Sequence, residues 1–311
     1  MSTAVAEKKS ADTAKVQYCA SCGIAGGDGI KLKDCSACHL VKYCSVKCQK
    51  DHRPKHKKEC KKRAAELRDE LLFKQPESSH FGDCPICCLP LHLDDKKSFM
   101  MSCCSKQMCN GCTLANNNRE IEGRLQQKCP FCRMALPATE EEHIEQVMKR
   151  IETNDPVAMR SMGTKRCEEG DYKSAFGYFT EAVALGDDAL AHYQLSILYR
   201  DGKGIKKDEK RSLHHAEEAA IGGHPDARYN LGCVEWENGR MGRAAKHWII
   251  AAKLGHDGSL GAGALKRLYQ VGCVSKEDFA SALRGCQAAI DATKSPQREE
   301  AARARAKLLN L

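Results

Sequence analysis

The sequence predicts a multidomain protein in which two small cysteine-rich domains precede an all-α helical-repeat solenoid. The first observation is an uneven distribution of cysteine, since 16 of the 20 cysteines lie before residue 133 of the 311. The second is that these cysteines occur mainly in closely spaced pairs, which indicates disulfides or metal sites. The third is a period of 36 residues in the Ala-rich region that follows. A period of that length is typical of stacked helix pairs.

The composition favours an intracellular protein, cytoplasmic or nuclear. The first residues contain no apolar segment of the kind found in a secretory signal, and no stretch approaches ~18 consecutive apolar residues. Thiols stay reduced in those compartments, which favours bound metal over disulfides. We therefore expect metal sites and no membrane partner.

Changes in composition divide the chain into consecutive segments. The linker after the first cysteine block has helical spacing that stops before Pro76, and Asp155 and Pro156 fit the N-cap and the first position of a helix. The expected segments are a disordered tail (1–17), a first cysteine block (19–60), a helical linker (61–83), a second cysteine block (84–133), a linker helix (134–157), helical repeats (158–290) and a C-terminal helix (291–311).

The Ala-rich region repeats itself. The aligned residues, each 36 positions apart, are Ala191/Ala227, Tyr193/Tyr229 and Leu195/Leu231. Small residues at fixed offsets let neighbouring helices approach closely. The glycines that close Ala219-Ala220-Ile-Gly222 and Ala251-Ala252-Lys-Leu-Gly255 suit helix C-caps. The alternative interpretation is an ordinary helical bundle with chance similarity.

Residues 195–220 carry a Gly202-Lys-Gly204 loop, followed by Asp208 and by Ala219-Ala220. This stretch resembles Sel1-like repeats, a branch of the tetratricopeptide-like solenoids. The resemblance implies three to four units over 158–290 that bind proteins on a concave face. No residue in these units suggests chemistry.

The first cysteine block offers four pairs of potential metal ligands, each on a turn tight enough for two side chains to face one ion. The pairs are Cys19/Cys22, Cys35/Cys38, Cys44/Cys48 and His56/Cys60. Eight sulfur and nitrogen donors suit two tetrahedral zinc sites. A segment of 42 residues buries too little apolar surface to fold alone, so we expect zinc to supply the folding energy.

This block resembles a MYND finger in its ligand spacing and in Tyr43-Cys44-Ser45 and Cys48-Gln49. The resemblance implies binding of short proline-containing peptides, although Arg53 stands where the family usually has a tryptophan that helps form the peptide groove. It also implies interleaved zinc sites. The implied ligand sets are Cys19, Cys22, Cys44 and Cys48 for one ion, and Cys35, Cys38, His56 and Cys60 for the other.

Between Lys42 and Arg63 lie ten Lys or Arg residues against two acids. This run has two interpretations: a nucleic-acid or nuclear-import patch, or a helix face that balances the negative zinc–thiolate centres beside it. Because no aromatic residues interleave with the run, we do not expect a nucleic-acid partner. The spare histidines, His39 and His52, are expected to be exposed rather than to bind metal.

The second cysteine block is bracketed by Cys84-Pro-Ile-Cys87 and Cys129-Pro-Phe-Cys132, with Cys103-Cys104 and Cys109-Asn-Gly-Cys112 between them. It resembles a RING domain whose eight ligands are all cysteine. The resemblance implies a second pair of interleaved zinc sites. The implied ligand sets are Cys84, Cys87, Cys109 and Cys112 for one ion, and Cys103, Cys104, Cys129 and Cys132 for the other. Adjacent ligands are sterically awkward, so Cys88 stays open as a substitute ligand or a bystander.

A RING-type E3 ubiquitin ligase has no covalent nucleophile; it docks a ubiquitin-charged conjugating enzyme and orients the thioester. The resemblance implies docking contacts at Ile86 and Pro130, and a linchpin at Arg133. With the MYND finger and the repeats selecting a substrate or peptide, this predicts a ligase. The alternative is that these three residues only shape the zinc loops and the surface, in a non-enzymatic scaffold.

Zinc also changes the meaning of the net charge. The formal value of +9 treats every cysteine as neutral. Fifteen thiolate ligands and about four Zn²⁺ ions together contribute −7, which lowers the net charge to about +2. The apparent basicity is therefore poor evidence for a nucleic-acid partner.

Overall fold

A computed structural model describes residues 17–27, 29–258 and 263–309, so all but the last residue of the expected disordered tail lies outside the described residues. The chain forms two compact units, one ending at Leu71 and the other beginning at Leu72. In the described residues, no helix is long and apolar enough to cross a membrane.

The first unit has very little regular structure apart from one long helix. Strands β1 (Lys33–Asp34) and β2 (Lys42–Tyr43) pair antiparallel, with Lys33 opposite Tyr43, and are followed by helix α1 (Val46–Leu72). The buried core consists of Cys19, Cys35, Cys38 and Tyr43. Such a core is too small to hold the unit together without further cross-links.

Helix α1 begins inside the first cysteine block and continues past it, so no break in the backbone separates the block from the linker. The helix ends at Leu72. The expected helical linker (61–83) is therefore helical only in its first part, since Pro76 disfavours helical backbone just before it.

The second unit begins with the second cysteine block and continues as a series of helices. The block contains strands β3 (Ser98–Met100) and β4 (Gln107–Cys109), which pair antiparallel, and helix α2 (Asn110–Glu122). The helices that follow are α3 (Glu140–Glu152), α4 (Pro156–Glu168), α5 (Tyr172–Gly186), α6 (Ala189–Asp201), α7 (Glu209–Ile221), α8 (Pro225–Glu237), α9 (Met241–Lys253), α10 (Ala264–Gln270), α11 (Lys276–Ala292) and α12 (Pro296–Leu309).

The expected helix start at Asp155 and Pro156 is confirmed. The Asp155 side chain accepts hydrogen bonds from the backbone N–H groups of Val157 and Ala158, and Pro156 opens α4. Gly202 closes α6 with φ +69, a backbone conformation that costs glycine little.

Helices α4 to α9 pack in consecutive pairs because small residues lie where helices meet. A Cβ on Gly163 of α4 would come within 2.7 Å of the Phe179 ring of α5. Gly232 of α8 faces the Trp248 indole of α9 in the same way. Ala191 and Ala227, two of the residues that carry the 36-residue period, are fully buried. The period therefore marks the positions of closest helix contact.

A segment that precedes the second cysteine block lies against the repeat helices. This anchor segment (residues 72–81) starts at Leu72, which is buried with Ala219, Ala220 and Leu231. The Arg228 guanidinium of α8 donates to the backbone carbonyls of Leu72 and Lys74. At the other end, the backbone N–H of His80 donates to the Gly223 carbonyl at 3.2 Å. The anchor segment thus fixes where the second block meets the repeats.

One buried histidine of the repeats makes stability depend on pH. His247 is 0% exposed, and neither ring nitrogen has a hydrogen-bond partner among the described residues. Burial, followed by repulsion from Arg228 and Arg243, lowers the pKa of His247 to about 3. In the unfolded chain the pKa is about 6.5, so the unfolded state takes up the proton first and stability is lost as pH falls below about 6.5.

We expect His247 to account for about 2 kcal/mol of stability lost between pH 7 and pH 5. Urea unfolding at the two pH values measures this loss. The variant His247→Leu should show a loss smaller by that amount, whatever its absolute stability. An unchanged pH dependence in His247→Leu would contradict the assignment.

Candidate metal centres

Four of the five Cys-x-x-Cys pairs share one backbone turn, and the fifth, Cys109/Cys112, lies at the start of helix α2. The residue after each of the four pairs has a positive φ of 54° to 73°. These residues are Gly23, His39, Cys88 and Arg133. The N–H of each donates to the carbonyl of the first cysteine of its pair, at 2.8–3.0 Å. The turn curls the backbone around one point, so both sulfur atoms face the same side.

The sixteen side chains singled out as metal ligands come together in four groups. Within each group the ligand atoms all lie within 4.8 Å of one another. The groups are Cys19/Cys22/Cys44/Cys48, Cys35/Cys38/His56/Cys60, Cys84/Cys87/Cys109/Cys112 and Cys103/Cys104/Cys129/Cys132. In both blocks the first and third pairs form one group, and the second and fourth pairs form the other.

The distances within the groups fit a tetrahedral metal ion and not disulfides. All twenty cysteines are free thiols, and the close sulfur–sulfur contacts within the groups run from 3.3 Å (Cys103–Cys132) to 3.9 Å (Cys87–Cys109). Four sulfurs at a Zn–S distance of about 2.3 Å would lie about 3.8 Å apart, whereas a disulfide is about 2.05 Å long. The donor sets, four sulfurs or three sulfurs and a nitrogen, are those that zinc prefers.

A local turn brings the adjacent cysteines of the second block to the same point. Ser105 has φ +57, and its N–H donates to the Met101 carbonyl at 2.7 Å. Cys104 therefore takes the place of the second cysteine in the shared turn, with buried Met101 in the place of the first, and Cys103 joins the group beside it. Cys88 is exposed and outside every group, in the positive-φ position that follows Cys87.

His56 faces its group through Nε2, which lies 3.1 Å from the Cys38 sulfur. The ring of His52, one helical turn earlier on α1, stacks on it at 5.6 Å between centroids. His52 Nδ1 is in turn hydrogen-bonded to the Tyr43 hydroxyl at 3.0 Å. His52 is half-buried and orients a metal-facing side chain, which the sequence interpretation of an exposed spare histidine missed. The i, i+4 spacing of the two histidines is the signal that could have found it.

The backbone favours thiolates at these sites. Burial raises the pKa of Cys84, but the N–H groups of Cys109, Cys87 and Ile86 outweigh it and lower the pKa to about 7. The same balance of burial against backbone donors lowers the pKa of Cys19 and Cys35 to about 6.

The pKa of other thiols in the groups is raised instead of lowered. Hydrogen bonds with the Cys22 and Cys48 side chains raise the pKa of Cys44 to about 12. Burial, with the Cys35 and Cys38 side chains, raises the pKa of Cys60 to about 11. Four thiols so close together resist complete ionisation, and a divalent cation removes that resistance.

The three residues singled out as docking contacts lie on the turns of the second block. Ile86 sits between two cysteines of the first turn and is 45% exposed. Pro130 is half-buried, and Arg133 is exposed with φ +64. The geometry leaves the side chains of Ile86 and Arg133 accessible from outside the block.

The first and last residues of the basic run between Lys42 and Arg63 form ion pairs. Lys42 forms an ion pair with Asp34 at 3.2 Å, and Arg63 is paired with Glu66 and Glu70. Arg53, in the place of the expected tryptophan, is exposed and lines a small cleft with Gln49 and Lys57.

One contact to a metal-facing sulfur comes from far along the chain and was not predicted from the sequence. Arg298 of α12 donates to the Cys87 sulfur at 3.4 Å. Nothing in the sequence around residue 298 resembles a metal-binding pattern, so only the fold reveals this contact.

A short part of the chain is similar to a curated protein. Over 31 residues the chain is 61% identical to the human histone-lysine N-methyltransferase SMYD3. The match covers 10% of this chain and 7% of that protein, so the chain spans only a small part of the relative it matches.

Two solved structures resemble the fold at low identity. A Sel1 repeat protein from Oxalobacter formigenes matches with a TM-score of 0.42 and 20% identity, covering 57% of this chain and 72% of that one. The protective antigen c5321 of uropathogenic Escherichia coli, which displays an SLR fold, matches with a TM-score of 0.37 and 22% identity, covering 56% and 37%.

Family models identify two parts of the chain. The MYND finger model matches residues 19–60. The Sel1 repeat model matches residues 156–187, 189–224 and 225–256, and each match contains one helix pair: α4 with α5, α6 with α7, and α8 with α9. The protein therefore contains a MYND finger and Sel1 repeats, both protein-interaction modules, and it binds zinc, about four ions per chain.

Proposed function

We propose that the protein is a RING-type E3 ubiquitin ligase in which residues 84–133 position a ubiquitin-charged conjugating enzyme. The MYND finger and the Sel1 repeats would select the protein that receives ubiquitin. The observation that carries the proposal is the interleaving of the two cysteine groups of the second block, with cysteines of the first and third pairs in one group and of the second and fourth in the other.

The proposed zinc ligands are the sixteen residues of the four groups. In the second block, zinc would hold the turn that carries Ile86 and the turn that carries Pro130 and Arg133 in fixed positions. Zinc supplies structural cross-links there, and the transfer of ubiquitin would take place on the docked enzyme, since such a module contributes no covalent nucleophile.

Accessibility supports a docking role for these turns. A side chain that only shaped a zinc loop would be expected to pack into it, but Ile86 is 45% exposed. An isolated exposed apolar residue is common on protein surfaces; here it lies between two metal-facing cysteines, on backbone that the metal would fix. Arg133 is exposed and projects from the positive-φ position after the last cysteine.

The second candidate is a non-enzymatic scaffold. It is favoured by the two parts of the chain with matching family models, since both are interaction modules. In a scaffold the second block would act as a further interaction surface. In either case the partners would be proteins inside the cell, in the cytoplasm or the nucleus.

Auto-ubiquitination with a panel of conjugating enzymes distinguishes the two candidates. We expect wild type to form ubiquitin conjugates with at least one enzyme. Ile86→Ala and Arg133→Ala should each lower the rate by about tenfold or more, because each removes a contact made to the charged enzyme. Zinc content, measured for each variant, should stay at about four ions.

Matched controls come from the same block. Phe99 is 45% exposed, as Ile86 is, and Arg124 is an exposed arginine with φ +50, similar to that of Arg133. Phe99→Ala and Arg124→Ala should retain the wild-type rate. Absence of conjugates across the panel, with about four zinc ions bound, would favour the scaffold instead.

A further inference from the structure

We propose that Arg298 is an outer-sphere partner of the zinc centre at Cys84, Cys87, Cys109 and Cys112, so that helix α12 controls how firmly this ion is held. The proposal rests on the zinc ligands proposed above for the second block. It assigns a role to a helix that follows the Sel1 repeats in sequence and lies outside every matched segment.

The guanidinium of Arg298 is held by several acceptors at once. It donates to the Cys87 sulfur at 3.4 Å and to the carbonyls of Leu89 and Pro90 at 3.1 and 2.6 Å. A further bond to the carbonyl of Thr293, at 2.9 Å, ties it to the turn between α11 and α12. The turn after Cys87 is therefore fixed by a side chain from a distant part of the chain.

The contact falls on the most accessible ligand of the centre. Cys84, Cys109 and Cys112 are buried, whereas Cys87 is only half-buried. A proton or a chelator would therefore reach the ion by way of Cys87. Arg298 covers that sulfur with a permanent positive charge.

The positive charge of Arg298 is expected to strengthen zinc binding at this centre. Four thiolates around one Zn²⁺ carry a net charge of −2, which a nearby guanidinium partly neutralises. A charge-assisted hydrogen bond to a thiolate also competes with its protonation. Losing such an outer-sphere partner typically weakens metal binding by about 10- to 100-fold.

The helix that carries Arg298 is seated closely on the block. A Cβ on Gly111, in the first turn of α2, would lie 3.0 Å from the backbone nitrogen of Arg298, so the lack of a side chain there permits the contact. Farther along α12, Arg305 donates to the Lys96 carbonyl. These contacts place the guanidinium over Cys87.

The test is a chelator challenge of the full-length zinc-loaded protein. Zinc release is followed with a colorimetric chelator, and the cysteines freed by the first ion are identified by alkylation and peptide mapping. We expect Arg298→Ala to release one ion about tenfold faster than wild type, with alkylation at Cys84, Cys87, Cys109 and Cys112. Arg298→Lys, which keeps the charge but not the fork of donors, should give an intermediate rate.

A matched control lies on the same helix. Arg303 is exposed, so Arg303→Ala should release zinc as wild type does. Gly111→Ala, which displaces α12 without changing the guanidinium, should accelerate the same ion. In the cobalt-substituted protein, the sulfur-to-cobalt charge-transfer absorption should shift in Arg298→Ala and not in Arg303→Ala, an effect that packing alone would not produce.

The outcomes separate this inference from the proposed ligand set. Equal release rates in wild type and Arg298→Ala would overturn the outer-sphere role, as would faster release of all four ions together. Alkylation of the four cysteines in untreated wild type would instead show that the ligand set itself is wrong.

Discussion

Substitution of one buried cysteine, Cys38→Ser, is expected to remove zinc from the first unit and to unfold residues 17–60. Cys38 is 1% exposed and lies 3.1 Å from the metal-facing nitrogen of His56. A serine hydroxyl does not ionise near neutral pH and cannot replace the thiolate. Structural zinc in fingers of this size contributes about 10 kcal/mol or more of folding free energy, far more than the small apolar core of this unit can replace.

The measurement combines zinc content with hydrogen–deuterium exchange. Wild type should contain about four zinc ions, and Cys38→Ser should contain fewer and lose exchange protection across residues 17–60. The repeat helices α4 to α9 should keep their protection, because they bury their own apolar core. Acidification should have the same effect as the substitution, since protons compete with zinc for the thiolates as pH falls.

Cys88→Ser is the control, because Cys88 is exposed and outside all four groups. It should keep about four zinc ions and the wild-type exchange pattern. Loss of an ion in this variant would mean that Cys88 substitutes for one of the adjacent cysteines, Cys103 or Cys104, and that the fourth ligand set needs revision.

Replacement of Arg228 with alanine is expected to destabilise the second unit by about 4 kcal/mol. Arg228 is 0% exposed, and burial lowers the pKa of its guanidinium to about 10. Its bonds to the carbonyls of Leu72 and Lys74 hold the anchor segment on the repeats. Alanine would leave both acceptors without their donor and would open a cavity where the long side chain packs.

Chemical denaturation followed by a probe in the repeats measures this loss. Arg228→Met, which keeps most of the volume but donates no hydrogen bond, should cost about half as much as alanine. Arg267→Ala, at an exposed arginine of α10, should change stability by less than about 0.5 kcal/mol. A loss below about 1 kcal/mol in Arg228→Ala would show that the anchor segment contributes little to the fold.

Local patterns in the sequence predicted the parts of the fold that depend on local chemistry. Each Cys-x-x-Cys pair needs only a tight turn, so its spacing alone points to the geometry found at Cys19/Cys22 and Cys129/Cys132. The Asp155-Pro156 step marks a helix start for equally local reasons. The 36-residue period is visible because close helix packing demands small residues at regular intervals.

Contacts between distant segments left no comparable pattern. The anchor segment lies on helices that follow it by about 150 residues, and the Arg228 contact with Leu72 spans 156 positions. Arg298 reaches Cys87 across 211 positions. In the sequence, a single arginine that makes such a contact cannot be told from any other arginine. Neither its distance to other residues nor the residues beside it mark the contact.

The packing of helix α12 on the second block affects the order in which this part of the protein forms during synthesis. Synthesis proceeds from the N-terminus, so the cysteines of this block emerge from the ribosome and can take up metal long before Arg298 is made, 211 residues after Cys87. The nascent block would therefore hold its ion without the guanidinium that later covers it. The interval between these events is a stage of biosynthesis at which zinc supply, rather than the finished fold, decides whether the site is filled.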